Sequence, residues 1–378
     1  MKRNDTLKLK ILQLISMVGE ISADEIISFF EHAPYTKKQL SILKKDKLIR
    51  KYKGDDETTF RITAKAKKEL EGYVPKLYKE MVCGPKSVNL LKGEKRRDLR
   101  RKKMIEVFLM LRNKGVNILY DEKILCNKIL GTDNTDNTDI TDNTMEIDEF
   151  YTATEIRYFI PEYKTSIGSR GLGVLISKGK VYVIYSVGEN MVWKQEREIN
   201  FRTTTSEVFS RKLFGTTEET YLMFLGRDEK TLIEIMDRYG SEKKGKIMPT
   251  YMLPNMLYAS LDEEKDFTMD LLINNNWIID TLEEVNMKKI KFDEREPNFN
   301  GIQIKGKDIT YFLFAFRFDI YKVAKAINFS VFGKYDVRIA CFEYQKPYLE
   351  KFLKGKEHNV QILAIPHERY LKRRAKDE

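Results

Sequence analysis

Residues 5–74 alternate between the apolar spacing of helices and that of strands. Apolar side chains recur at helical spacing in TLKLKILQLISMVG, with Asn4 or Asp5 as candidate caps. They recur again in SADEIISFFE, where Ser22 and Glu25 stand three apart as a capping box. A third helix is predicted over TKKQLSILKKDK. LIRKYK and TTFRIT alternate as strands around the polar turn GDDE, and AKAKKELEGY returns to helical spacing. The predicted order is helix, helix, helix, hairpin, helix.

Beyond residue 148 the pattern changes to apolar strands separated by short helices. The segment SRGLGVLISKGKVYVIYSVGE, residues 169–189, predicts a hairpin with both faces of both strands apolar, which is typical of a covered central sheet. This alternation predicts an α+β protein whose larger part is an α/β layer with a mixed sheet. The elements predicted after the hairpin are the helix TSEVFSRKLFG, the strand YLMFLGR, the helix DEKTLIEIMDRYG capped by Asp228, the strands MLYAS and ITYFLFAFRFD, the helix IYKVAKAINF, the strand DVRIACFE, the helix QKPYLEKFLKGK and the strand VQILAIP.

The pattern divides the chain into four parts. Residues 1–80 form the first domain, residues 81–130 a basic linker helix region, and residues 148–378 the α/β domain. Between them, residues 131–147 contain the repeat GTDNTDNTDITDNT, which lacks apolar anchors and is expected to be a flexible surface loop. The repeat has neither the glycine nor the closing glutamate of an EF-hand loop, so calcium binding is not expected.

Charge is unevenly distributed along the chain. The net charge is +11, yet residues 1–103 carry 27 Lys and Arg against 14 Asp and Glu, whereas the remainder carries 41 against 43. The whole basic excess therefore lies in the N-terminal quarter, which favours a polyanionic partner there. No run of about 20 apolar residues is present, so we expect a cytoplasmic protein without a membrane partner.

The three cysteines and three histidines lie far apart and form no CxxC, HxH or HExxH motif. Zinc and histidine-metal sites need clustered nitrogen or sulfur ligands, so no metal and no cofactor are expected. Reduced thiols are the ordinary state of such cysteines in a cytosolic protein.

The N-terminal element order and its closing segment FRITAKAKKEL resemble bacterial winged-helix DNA-binding domains, with Ala66 in place of the common glycine. The resemblance implies that the third helix enters the major groove and that the wing touches phosphates. Winged helices also serve as protein-interaction modules, and surface lysines are often merely solvated. The residues predicted to face DNA are Thr36, Lys37, Lys38, Ser41, Lys44 and Lys45 on the third helix, and Lys51, Lys53 and Arg61 on the wing.

A second basic feature lies in LKGEKRRDLRRKKMIEVFLMLRNKG, whose cations crowd the start of a helix with an apolar continuation. Such a run beside a DNA-reading module is expected to add phosphate contacts. The alternative is a solvated face of a linker helix. The residues predicted to bind DNA here are Lys95, Arg96, Arg97, Arg100 and Arg101.

The whole order, a winged helix followed by a hairpin and αβαβ, resembles the replication-relaxation family of mobile-element proteins, whose downstream part is related to the restriction-endonuclease-like fold. In that family the hairpin carries an Asp after Arg-Pro and a Glu-x-Asp on the next strand. Here Arg170 is present, but Leu172 or Gly173 stands at the first place. Ile184 and Ser186 stand at the others. Phosphodiester cleavage needs converging carboxylates, and this chain has none at these places. The resemblance therefore implies a nuclease-like core, and the missing carboxylates predict that it has no active site, catalytic residues or bound metal.

The sequence thus predicts a plasmid- or phage-encoded protein that binds double-stranded DNA in replication control, maintenance or transfer of a mobile element. We expect no enzymatic activity, and we expect the downstream domain to form a homodimer or to contact a protein partner of the same element. Two alternatives stay open. One is a nicking or relaxase-like phosphodiesterase, and the other is a protein-interaction adaptor that binds no DNA.

Overall fold

The protein is a mixed α+β chain that divides into two compact units. The first unit comprises Met1–Asn143, Ile147–Lys164 and Leu172–Ile176, and the second comprises Thr144–Glu146, Thr165–Gly171 and Ser177–Glu378. The computed structural model describes residues 3–30, 32–53, 58–83, 95–124, 148–159, 171–187, 195–211, 220–228, 230–231, 255–262, 267–273, 278, 281, 291–292, 300–305, 308–333, 335–354 and 359–368. Among the described helices, none combines the length and the apolar composition needed to cross a bilayer.

The first unit joins a helical layer to two small groups of strands. Its elements in chain order are α1 (Arg3–Val18), β1 (Ile21–Ser22), α2 (Ala23–Phe29), α3 (Ala33–Lys45), β2 (Ile49–Lys53), β3 (Thr58–Ile62), α4 (Ala64–Glu71), α5 (Lys76–Cys83), α6 (Lys95–Asn113), a 3₁₀ turn at Tyr120–Glu122, β4 (Glu149–Thr152), α7 (Ala153–Phe159) and β5 (Gly173–Ser177).

The predicted order of three helices, hairpin and helix is present, with one additional strand. β2 and β3 pair antiparallel, and the two-residue β1 pairs with the other edge of β3 through Ile21 opposite Phe60. The capping box of Ser22 and Glu25 is present, because each side chain accepts a hydrogen bond from the other residue's backbone amide. The prediction of an N-cap at Asn4 or Asp5 is wrong, since α1 begins at Arg3. The turn GDDE and the repeat tract lie outside the described residues.

β4 and β5 pair antiparallel, and a glycine is required at their contact. A Cβ atom at Gly173 would lie 2.1 Å from the backbone oxygen of Tyr151, a distance no side chain can occupy. On β4, the ring of Phe150 packs edge-on against Phe108 of α6, with 5.8 Å between the centroids. This contact ties the strand pair to the helical layer of the first unit.

The first unit also contains a buried ion pair. Lys123 Nζ lies 2.5 Å from Glu155 Oε1, and the exposed fractions of the two side chains are 0% and 1%. The carboxylate of Glu155 accepts a second hydrogen bond from the backbone amide of Thr152, at 2.7 Å. The ring of Tyr151 lies 5.0 Å from the lysine nitrogen. These contacts satisfy both charges at the start of α7, in a place that water does not reach.

The second unit alternates strands and helices. Its elements are β6 (Lys180–Ser186), α8 (Gln195–Thr205), a π-helical turn at Ser206–Arg211, β7 (Tyr221–Gly226), β8 (Met256–Ser260), α9 (Phe267–Ile273), β9 (Lys291–Phe292), β10 (Gly301–Lys305), β11 (Asp308–Phe314), α10 (Ile320–Gly333), β12 (Asp336–Phe342), a 3₁₀ turn at Glu343–Gln345, α11 (Lys346–Leu353) and β13 (Val360–Ile365).

Two groups of strands organise this unit. β6, β7 and β8 run parallel, with Ile184 opposite Met223 and Met223 opposite Leu257. A second sheet has the order β13-β12-β11-β10-β9, in which β11, β12 and β13 are parallel and β10 is antiparallel to β11. Phe267 of α9 packs into the core of this second sheet, with its ring edge-on to Phe342. The sequence pattern predicted the strands β7, β8, β11, β12 and β13 but missed β9, β10, α8 and α9.

The strands predicted for residues 169–189 are β5 and β6, and they are separated by a tight turn. Lys178 and Gly179 form this turn with φ values of 47° and 75°, in the left-handed region that two-residue loops between strands require. All of β5 and the central five residues of β6 are buried. The prediction of strands that are covered on both faces is therefore confirmed.

Candidate nucleic-acid interface

Helix α3 separates an apolar face from a cationic face. Leu40 and Leu43 are buried against the core, because they recur at the three-residue spacing of one helix face. The side chains of Lys37, Lys38, Ser41, Lys44 and Lys45 are all exposed, as predicted. The hydroxyl of Ser41 donates to the backbone oxygen of Lys37 at 3.1 Å, so it is already engaged by its own helix. The exposed part of α3 therefore presents four cations and no anion.

The outward orientation predicted for Thr36 is wrong. Its side chain has no exposed surface, and its hydroxyl oxygen has no hydrogen-bond partner among the described residues. Thr36 lies three and four residues from Gln39 and Leu40, which are also buried, so it belongs to the inward face. The sequence pattern did not separate it from its neighbours because threonine is polar and adjoins two lysines.

Replacement of Thr36 by valine is expected to stabilise the first unit by about 0.5 to 1 kcal/mol. A buried hydroxyl without a partner loses its hydration on folding, and valine has nearly the same shape without that group. Urea denaturation followed by circular dichroism measures the change in the free energy of unfolding. A loss of more than about 1 kcal/mol would mean that the hydroxyl has a hydrogen-bond partner after all.

The strand β2 adds cations beside those of α3. Lys51 is exposed, and Lys44 Nζ lies 4.7 Å from the centroid of the Phe60 ring on β3. Partial burial lowers the pKa of Lys44, and the positive charge of Lys51 lowers it further. The two ammonium groups are therefore close enough to repel each other, and a bound phosphate would reduce this repulsion. The side chain of Lys53, at the end of the same strand, lies outside the described residues.

Arg61 was predicted to contact phosphate from the wing, but its guanidinium is engaged inside the first unit. It forms an ion pair with Glu20, and it stacks on Tyr52 with 3.6 Å between the guanidinium carbon and the ring centroid. Only 12% of the Arg61 side chain is exposed. In the structure the partner of this cation is therefore the neighbouring carboxylate of Glu20, and its contact with phosphate stays a prediction.

Arg101 of α6 reaches the same carboxylate. Its Nη1 donates to Glu20 Oε2 at 2.7 Å, and 15% of its side chain is exposed. Its guanidinium thus pairs with an internal acid, and its contact with DNA stays a prediction. The side chains of the other four cations predicted for this helix, Lys95, Arg96, Arg97 and Arg100, lie outside the described residues, although α6 begins at Lys95.

Glu20 is thus shared by three side chains from two elements. Thr59 also donates its hydroxyl to this carboxylate, at 2.5 Å. Burial acts to raise the pKa of Glu20, but the hydrogen bonds from Thr59, Arg101 and Arg61 outweigh it and hold the pKa below its usual value. We call Glu20, Thr59, Arg61 and Arg101 the Glu20 cluster. It fixes α6 and the hairpin of β2 and β3 to the turn that follows α1.

A second acidic pair holds the helices of the first unit together. Glu122 accepts from Lys10 of α1 and from Arg112 of α6, both at 2.9 Å. Asp121 accepts from the buried Gln13 at 3.0 Å and from the hydroxyl of Tyr73 at 2.6 Å. The sequence pattern did not single out these acids or Glu20. A signal was available only for Glu20, because this acid lies within the strongly basic first 103 residues and next to the apolar Ile21.

Two of the positions at which the resembling family carries carboxylates are apolar and buried in this chain, whereas Ser186 at the third is polar and partly exposed. Leu172 is 3% exposed and Ile184 is 0% exposed.

No protein-family model matches the chain, and no curated protein or solved structure matches it significantly. In the described part of the chain, no three His, Cys, Asp or Glu side chains come close enough to hold a metal ion. Arg170 lies outside the described residues.

Proposed function

We propose that the first unit is a winged-helix module that binds double-stranded DNA through α3. The order of α1, β1, α2, α3, β2, β3 and α4, with a three-stranded sheet β1-β3-β2, supports this fold assignment. In such a module the third helix lies in the major groove and the hairpin follows the neighbouring backbone. The observation that carries the proposal is the cationic face of α3, which no carboxylate interrupts.

The proposed contact surface, called here the α3 cationic face, consists of exposed cations on α3 and β2. Its members are Lys37, Lys38, Lys44, Lys45 and Lys51. Lysines on such a face neutralise phosphates and release condensed counterions, which makes binding depend steeply on salt. We leave Thr36, Arg61 and Arg101 out of this surface. Thr36 is buried, and the guanidinium groups of the two arginines pair with Glu20.

The Glu20 cluster has a positioning role in this proposal. It joins Arg61 of the hairpin to Arg101 of α6 through one carboxylate. Both elements would then approach the DNA backbone at a fixed spacing, and less conformational entropy would be lost on binding. The basic beginning of α6 would extend the phosphate contacts along the duplex, as its charge suggests.

Beyond the first unit, we propose that the protein acts in replication control, maintenance or transfer of a plasmid or phage. The second unit would form a homodimer or contact a protein partner of that element, and paired winged helices would recognise repeated half-sites. A monomeric mass by light scattering at micromolar concentration would contradict the dimer.

We further propose that the chain does no phosphodiester chemistry, because Leu172 and Ile184 cannot ligate a metal. Magnesium-dependent nicking of supercoiled plasmid would contradict that part.

The DNA-binding proposal is tested by measuring the affinity of the full chain for fragments of its own element over a salt series. Changing Lys37, Lys38 and Lys44 together to alanine is expected to lower the affinity roughly tenfold or more at moderate salt. The slope of log affinity against log salt should fall by about 2.7, since each phosphate contact contributes about 0.9.

The matched control removes three exposed lysines that lie outside α3 and β2. Changing Lys68, Lys79 and Lys354 to alanine alters the net charge equally and should leave the slope nearly unchanged. Equal losses in the two triple variants would indicate a general charge effect without a reading helix. Absence of any salt-dependent binding would move the first unit to the class of protein-interaction modules.

A further inference from the structure

The first unit contains a cavity of about 210 Å³ behind the hairpin of β2 and β3. Its walls come from the end of α1, both hairpin strands, α4, α5, the 3₁₀ turn, and the junction of β4 with α7. Its volume exceeds that of the roughly 150 Å³ apolar cavities that hold benzene. The space is therefore large enough for a ligand with one ring, or with a short branched chain.

The rim of the cavity is cationic. Arg50, Arg61 and Lys67 line it, and no Asp or Glu is among the described lining residues. Arg50 and Arg61 stand directly opposite each other in the register of β2 and β3, an arrangement of like charges that weakens a strand pair unless anions compensate. Glu20 compensates Arg61, whereas the exposed side chain of Arg50 has no hydrogen-bond or ion-pair partner among the described residues.

The floor of the cavity is apolar. Ile15, Val82 and Tyr120 contribute surfaces that are 0%, 4% and 3% exposed, and Ile62 and Met81 complete this lining. Thr154 lines the cavity from the junction of β4 with α7, and its side chain carries a neutral hydrogen-bonding group. The lining combines this apolar floor with polar surface, and its charged groups are cations, which favours a negatively charged ligand.

We propose that this cavity binds a small organic anion. The carboxylate or phosphate of the ligand would pair with Arg50 at the rim, and an apolar body of ring size would contact Ile15, Ile62 and Val82. The negative group of the ligand would compensate the charge of Arg50, as Glu20 compensates the charge of Arg61. This site is separate from the α3 cationic face, so its occupancy is measurable on the full chain without DNA.

The test uses benzoate as the ligand and benzamide as its neutral isostere. Isothermal titration calorimetry and saturation-transfer NMR on the full-length chain are expected to give a dissociation constant for benzoate on the order of 1 mM, a value suited to a ligand of this size. Benzamide should bind about tenfold more weakly, because it lacks the charge that pairs with Arg50. Equal affinity for the two compounds would overturn the assignment of an anionic ligand.

Three variants and one competitor locate the site. Arg50→Gln should lower the affinity for benzoate about tenfold. Thr154→Phe should abolish binding by filling the cavity from its exposed wall, and Lys37→Gln on α3 should change nothing. Equal losses in the Arg50 and Lys37 variants would overturn the site in favour of a general surface charge effect. Inorganic phosphate that binds as tightly as benzoate would overturn the apolar part of the assignment, and no binding of benzoate at all would overturn the proposal.

Discussion

Substitution of Lys123 by methionine is expected to lower the free energy of unfolding of the first unit by about 3 to 5 kcal/mol. The ammonium group of Lys123 and the carboxylate of Glu155 are both buried, with 2.5 Å between nitrogen and oxygen. Removing the cation leaves a carboxylate without its counter-charge in a site that water does not reach. Urea denaturation followed by circular dichroism measures the loss, and hydrogen exchange of α7 assigns it to the first unit.

The control for this experiment removes both charges together. In the double variant Lys123→Met with Glu155→Gln, the glutamine oxygen can still accept from the amide of Thr152, so most of the lost stability should return. A double variant as unstable as the single one would show that the damage comes from packing and not from an uncompensated charge. The stabilising contribution of the ion pair would then be negligible.

Substitution of Glu20 by alanine is expected to lower the free energy of unfolding by about 2 to 3 kcal/mol. Arg61 and Arg101 both lose their carboxylate, and each side chain is too buried for water to replace it fully. The effect should be smaller than at Lys123, because both guanidinium groups keep some exposure. Denaturation in urea at pH 7 measures the loss.

The same carboxylate makes stability depend on acid pH. The pKa of Glu20 lies below its usual value of 4.5 in the folded chain, so its contribution is complete above that value. The contribution is lost as the pH falls through the lowered pKa, because protonation removes the charge that the two arginines need. In Glu20→Gln this acid-sensitive component of the denaturation curve should be absent.

A surface ion pair provides the matched comparison. Glu69 accepts from Lys8 at 2.9 Å, with side chains 32% and 20% exposed. Glu69→Gln should therefore change the free energy of unfolding by less than about 1 kcal/mol. If Glu69→Gln and Glu20→Gln were equally destabilising, the shared position of Glu20 between two arginines would have no special weight.

The elements that could be predicted from the sequence are those whose signal is local. The capping box at Ser22 and the buried spacing of Leu40 and Leu43 depend on neighbours three or four residues away, so the pattern contains them fully. The short strand β1 could not be predicted in this way, because two residues form a strand only when a distant partner, β3, is already in place. In the second unit, β10 escaped for the same reason, since it depends on its pairing with β11.

The positive charge of the candidate site could be predicted from the sequence, but the orientation of each side chain could not. Helical spacing and charge correctly indicated that Lys37, Lys38 and Lys44 are exposed. The pairing of Arg61 and Arg101 with Glu20 could not be predicted, because this acid is 41 and 81 residues away from them along the chain. A sequence pattern shows that an arginine is present, but the acid with which it pairs is known only from the tertiary structure.

The sharing of one carboxylate by two arginines also has an evolutionary consequence. A chain that exchanges Glu20 for a neutral residue would leave cations at positions 61 and 101 unpaired at the same time. Drift at any one of the three positions would therefore favour replacement at the other two. Among homologous chains, residues 20, 61 and 101 should vary as a set, and their covariation would connect the hairpin to α6 without any direct contact with DNA.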